Sequence, residues 1–251
     1  MTLWIFGDSY AQPAQKKFYD LVERPLTWKE ELGYKLQTKV DGEGRPGVSQ
    51  EYLFNSFKTR SNSFKKDDYC IFIHTESQRR WFFNDRPEVS NLWLNSFGDL
   101  VKKDEKKAIE SYKKYLYNPM LGNCITEMLS TFINWTCMSK QMNVIQIAGF
   151  EVEEHFIQNP SVDVVGNMLN IAKGEFKGDI MPACFDANSG MDMRLNHMSW
   201  PNHDKFAEAL YKSLVNKEIL DLSEGWYKDI YTSISNYTEL NSEYAKYQWQ
   251  Y

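Results

Sequence analysis

The apolar residues of the chain gather in short runs set apart by polar stretches. LWIF at 3–6, CIFI at 70–73 within DDYCIFIHT (67–75), and the alternation in NVIQIAG (143–149) are the strongest. Runs of four to eight residues rich in branched and aromatic side chains read as buried strands. A short strand is expected at 38–40 and another at DIMPACF, 179–185. Helical spacing lies between them. Trp28, Leu32 and Leu36 recur four apart within 25–36, where Pro25 suits a first turn, and helical patterns follow at 50–57 and 203–214. Strands alternating with helices predict βαβ units and a parallel sheet.

One stretch is too long for a single crossover. Residues 78–142 hold an aromatic loop, a lysine-rich helix and a strongly amphipathic helix. In the last, Ile125, Met128, Leu129, Phe132 and Ile133 make an i, i+3, i+4 stripe, which predicts a face turned to the core. The lysines between Lys102 and Lys114 are interleaved with Asp104, Glu105 and Glu110, the pattern of a solvated helix face rather than a polyanion site.

Composition narrows the class. With 42% hydrophobic and 25% charged residues in 251, the chain can bury a substantial core. A net charge of −5 argues against general nucleic-acid binding. Cys70, Cys124, Cys137 and Cys184 are widely spaced, as expected of reduced thiols rather than a disulfide framework or zinc knuckle. The N-terminus enters a strand at once, leaving no room for a signal peptide, and no apolar stretch approaches the roughly 18 residues of a membrane span. A cytoplasmic protein with no membrane contact is the expectation. Residues 222–251 lack a period but carry Trp226, Tyr227, Tyr231, Tyr237, Tyr244, Tyr247, Trp249 and Tyr251. This extension follows a domain of 1–221 and is expected to pack on it or to join copies into a homo-oligomer.

The chemistry begins at Gly7-Asp8-Ser9. In a parallel α/β sheet ligands bind beyond the carboxyl ends of strands, and Ser9 sits just past the first one. A serine hydroxyl needs a base. Of the four histidines, His197 and His203 lie in RLNHMSWPNHDKFAEAL, where a loop enters the last helix. His203 suits packing at the helix start. His155, in EVEEHF, reads as surface; a metal site with Glu151 or Glu154 has no supporting spacing. His74 ends a strand and is either near the pocket or a satisfied core histidine.

Together, IFGDSYA and HMSWPNHDKFAEAL resemble the GDSL/SGNH hydrolase family over residues 3–214. The resemblance implies a three-layer α/β/α sandwich with a flavodoxin-like parallel sheet, decorated by the helical insertion and the aromatic tail. It implies a carboxylic ester hydrolase in which Ser9 is the nucleophile and His197 the base, with no metal or organic cofactor. GRPGVSQEYLF resembles the second family block, so the Gly47 N–H and the Ser9 N–H would hold the oxyanion. Glu76 takes the place of the family's third donor, an asparagine, with Thr75 and Gln78 as substitutes. Arg194 stands where the family has the aspartate that orients the histidine. Either Asp192 supplies that carboxylate from a bulged loop, or a backbone carbonyl holds the ring and leaves a dyad.

SQRRWFF (77–83) should rim the cleft. Arg79 or Arg80 could clamp an anionic substrate group, and Trp81, Phe82 and Phe83 could stack on a sugar or acyl chain, as could Trp200. The alternative is a loop anchored by its aromatics. The expected substrate is a small-molecule or carbohydrate ester, such as an O-acetyl group. The rival reading is a non-catalytic binding or structural protein that keeps the sandwich, such as a virion component of a phage.

Overall fold

The computed structural model describes residues 1–12, 27–90, 101–150, 198, 200–222 and 224–227. Four strands, β1 (Thr2–Gly7), β2 (Lys39–Gly44), β3 (Tyr69–His74) and β4 (Asn143–Ala148), pair in parallel in the order β2-β1-β3-β4. The helices, in chain order, are α1 (Trp28–Lys35), α2 (Gln50–Arg60), α3 (Lys103–Tyr115), α4 (Pro119–Ser139) and α5 (Trp200–Asn216). The chain is an α/β protein with a parallel sheet, as the pattern predicts, and the strand order is that of flavodoxin-like sheets, as the resemblance implies. The strand expected at 179–185 lies outside the described residues.

The chain divides into two compact units. Met1–Gln12 with Thr38–Asp163 forms one, and Pro13–Gln37 with Val164–Tyr251 the other. In the first, β1, β3 and β4 are buried along most of their length because both sheet faces are apolar there, whereas the edge strand β2 is only partly buried. One face presents Trp4, Phe6, Cys70 and Phe72 to Leu53 and Phe57 of α2 and to Ile133 and Cys137 of α4. The Phe57 ring meets Phe6 edge-on at 5.4 Å and Phe72 at 6.2 Å. The opposite face carries Leu3, Ile5, Ile71, Ile73, Ile145 and Ile147, all buried. Full burial of such a side chain contributes about 1.5–3 kcal/mol.

β2 runs four residues beyond the predicted end at Val40. Asp41-Gly42-Glu43-Gly44 has poor strand propensity, yet it pairs residue by residue with β1 up to Gly7↔Gly44. Backbone pairing overrides local preference here. A Cβ on Gly44 would lie 2.0 Å from the Ala11 carbonyl oxygen, so only glycine lets β2 end against the turn that follows β1.

The predicted core stripe of α4 is corrected. Ile133 is fully buried, but Met128 is 70% exposed and Phe132 is exposed as well. Over the first part of the helix the buried side is instead small and polar, with Gly122, Asn123, Thr126 and Ser130, and it becomes apolar only at Ile133 and Cys137. The α3 lysines lie on a largely exposed helix, as the charge pattern predicts; Glu105 pairs with Arg86 at 2.7 Å. Cys70, Cys124 and Cys137 are free thiols, Cys124 exposed and the other two buried.

In the second unit α1 packs on α5. The Trp28 and Phe206 rings, both fully buried, meet edge-on at 5.0 Å. The Trp28 N–H, at the start of α1, donates to His203 Nδ1 at 3.1 Å, so His203 satisfies one of the helix's orphan donors. Lys35 and Glu208 pair at 3.0 Å beside it. No helix among the described residues is long and apolar enough to cross a membrane.

Candidate functional site

β1 neighbours β2 on one side and β3 on the other, so the strand order reverses between β1 and β3. This is the topological switch point, the position beyond the carboxyl ends of the strands at which α/β sheets bind their ligands. Asp8 and Ser9 leave β1 at that position. Residues Ser9–Ala11 form a single 3-10 turn. It is closed by Ala11 N–H to Asp8 O at 3.1 Å and by Gln12 N–H to Ser9 O at 3.3 Å.

Asp8 is the anchor of this edge. Its side chain is wholly buried and accepts three bonds: Tyr10 N–H at 3.1 Å, Thr75 Oγ1 at 3.1 Å and Arg79 Nη1 at 3.3 Å. Burial raises its pKa, opposed by the Arg79 charge and by the Tyr10 and Thr75 hydrogen bonds. Arg79 also donates from Nε to Glu76 at 2.9 Å, and its guanidinium lies 4.8 Å from the centre of the Phe150 ring. Phe150 in turn meets Tyr10 edge-on at 5.6 Å. The loops after β1, β3 and β4 are thereby fastened to one another around the turn that carries Ser9.

The loop after β2 adjoins them. Arg45 N–H donates to Gly7 O at 3.2 Å. Gly47 has φ +70°, in the left-handed region that glycine occupies without strain, and its carbonyl accepts from Ser90 Oγ. Ser49 then caps α2, accepting from Tyr52 N–H at 3.4 Å.

Beneath the edge runs a buried hydrogen-bonded chain whose direction is fixed at both ends. Thr75 N–H can only donate, and it donates to Gln50 Oε1 at 3.1 Å. The Gln50 amide nitrogen therefore faces His74 Nδ1 as the donor, and Nδ1 carries no proton. The proton sits on Nε2, which donates to Gln146 Oε1 at 2.8 Å. Gln146 Nε2 then donates to the Ser130 carbonyl on α4 at 2.9 Å. His74 is thus a satisfied core histidine, neutral, with burial pushing its pKa down to about 4.

The residues expected from sequence fall into three groups. Ser9, Gly47, Glu76 and Arg79 belong to loops of the sheet's carboxyl edge. In this arrangement Glu76 accepts from Arg79, which turns its side chain to a partner within the loop. Trp81 lies further along the rim, its Nε1 donating to Phe83 O at 2.9 Å and its ring edge-on to Tyr52 at 5.4 Å. Phe82 and Phe83 pack with Val89, Val101 and Ile109, the loop anchored by its aromatics. Arg80 is buried, donating to the Ser77 and Arg79 carbonyls at 2.6 and 2.7 Å. Trp200 begins α5. His155, Asp192 and His197 lie outside the described residues, as does 228–251 of the aromatic extension.

Asp8, Gln50 and Gln146 escaped the sequence reading. Asp8 carried a signal: an acid directly after a fully apolar strand and before a turn must be both buried and capped. Among the described residues, no group of three or more His, Cys, Asp and Glu side chains is placed to hold a metal ion. No protein-family model, curated protein or solved structure matches the chain.

Proposed function

We propose that the protein is a serine-dependent carboxylic ester hydrolase of the SGNH type, acting on a small or carbohydrate-borne acyl ester such as an O-acetyl group. The observation that carries this reading is the position of Ser9. It stands on a tight turn at the switch point of a parallel sheet, in a loop held by the buried Asp8 carboxylate. In the proposed reaction Ser9 Oγ attacks the acyl carbon while His197 takes its proton. His197 returns that proton to the departing alkoxide, then activates the water that hydrolyses the acyl-enzyme. The N–H groups of Ser9 and Gly47 stabilise the oxyanion, and Asp192 or a backbone carbonyl orients His197. Arg79, already shared by Asp8 and Glu76, acts by holding the loop, which favours an uncharged acyl group at this edge.

A second reading is favoured by the β3 loop. Thr75 commits its N–H to Gln50 and its hydroxyl to Asp8, and Glu76 accepts from Arg79, so both Thr75 and Glu76 are engaged within the protein. That suits a non-catalytic binding protein on the same sheet. Labelling with a fluorophosphonate and turnover of p-nitrophenyl acetate separate the two. For the hydrolase, both are expected in the wild type, with labelling abolished by Ser9→Ala and turnover reduced by roughly 10³-fold or more in Ser9→Ala and His197→Ala. A wild type that is neither labelled nor active on p-nitrophenyl acetate and acetylated glycans overturns the hydrolase in favour of the binding protein.

A further inference from the structure

Helix α4 turns a row of large apolar side chains outward. Of its 21 residues only Glu127 is charged. Its exposed positions Leu121, Cys124, Met128, Thr131, Trp135 and Met138 alternate by three and four, an a/d seam with a period of 3.5 residues. Leu121 is 49% exposed, Met128 70%, Trp135 68% and Met138 64%. The seam runs about 26 Å along the helix at 1.5 Å per residue. Its four large side chains leave on the order of 600 Å² uncovered, against about 800 Å² per partner in a standard interface. A patch of this extent stands at the upper end of what a monomer exposes, a range in which the largest patch is often functional.

The order of side chains along the seam says what fits it. Laid antiparallel against itself about a two-fold axis between Met128 and Thr131, the seam pairs every a position with a d position. Leu121 then faces Met138 of the second copy, Cys124 faces Trp135, and Met128 faces Thr131. Large side chains meet small ones in the two inner pairs, the condition for knobs to enter holes. The contact is isologous, so it closes at two copies. With no lysine or arginine on α4, an anionic lipid surface finds no counter-charge there.

We infer that α4 is a homodimerisation helix, and that the protein associates through an antiparallel α4–α4 contact centred between Met128 and Thr131. The inference is independent of the hydrolase reading. It is tested on the full chain by sedimentation equilibrium and by cysteine cross-linking. The wild type is expected at twice the chain mass at micromolar concentration, and Trp135→Glu at the chain mass with an unchanged circular dichroism spectrum.

Trp135→Cys tests the register without relying on the charged variant's folding. Positions 124 and 135 are about 16 Å apart along one helix, so mild oxidation is expected to join Cys124 of one copy to the new thiol of the other. A covalent dimer that Cys124→Ser abolishes supports the register. Three results would overturn the inference: a wild type at the chain mass, a Trp135→Glu protein still at twice that mass, or no cross-link in Trp135→Cys. A monomeric wild type that dimerises once 228–251 is removed would assign the seam to the chain's own aromatic segment.

Discussion

His74 should make the protein sensitive to mild acid in a way that one substitution removes. Its ordinary pKa of 6.5 falls to about 4 in the fold because the ring is fully buried, the Gln146 hydrogen bond opposing the shift. A proton on Nδ1 would point at the Gln50 N–H. Turning that amide over would set its NH₂ against Thr75 N–H, so no rotation of Gln50 relieves the clash. The folded protein therefore binds this proton less readily than the unfolded chain, and acid favours unfolding. His74's contribution is intact above pH 6.5 and falls away as pH drops toward 4. At 1.36 kcal/mol per pKa unit the full loss is about 3 kcal/mol, of which about 2 kcal/mol is gone by about pH 5. Urea unfolding of the wild type and His74→Gln across pH 5 to 7.5 reads the effect as a difference, which cancels the other carboxylates and histidines. Glutamine has no basic nitrogen, so the variant, less stable at neutral pH, should close the gap by about 2 kcal/mol toward about pH 5. Two parallel stability curves would show that His74 is not held neutral and that the directed chain is wrong.

Two further outcomes follow from the edge around Ser9. Asp8, with its pKa raised above 3.8 by burial, contributes stability below that value and loses it as pH rises through the raised one. Asp8→Asn should therefore gain on the wild type between about pH 4 and 7 in thermal unfolding, and a pH-independent difference would refute the buried charge. Gly44→Ala puts a Cβ 2.0 Å from the Ala11 carbonyl oxygen and should cost about 2–4 kcal/mol while displacing the Ser9 turn. An unchanged melting temperature would mean that the turn does not pack there.

The sheet was legible in the sequence where strands are buried on both faces, because CIFI and LWIF admit little else. β2 was read short because its last four residues are acids and glycines, held extended only by pairing with β1. The turn that carries Ser9 was legible from its place directly after an apolar strand. The site was not legible at Asp8, Gln50 and Gln146, because polar residues that satisfy one another in the core look like surface residues one at a time. The i, i+2, i+4 alternation of Cys70, Phe72 and His74 does place the imidazole on the buried side of β3. In α4 the helical period revealed an apolar side but not its direction. Over its first turns the inward side was chosen by size, Gly122, Thr126 and Ser130 allowing close approach, and only at Ile133 and Cys137 by hydropathy.

The hydrogen-bonded chain from Thr75 to Ser130 begins and ends on backbone groups, which no mutation can exchange. Each side chain between them must present one acceptor toward Thr75 and one donor toward Ser130. Gln50, His74 and Gln146 therefore behave as one unit of inheritance. A change at any of them that reverses or removes a partner leaves a buried group unmatched, and is tolerated only with a compensating change at its neighbour. Lineages descending from this protein should vary these three positions jointly, while the exposed lysines of α3 drift one at a time.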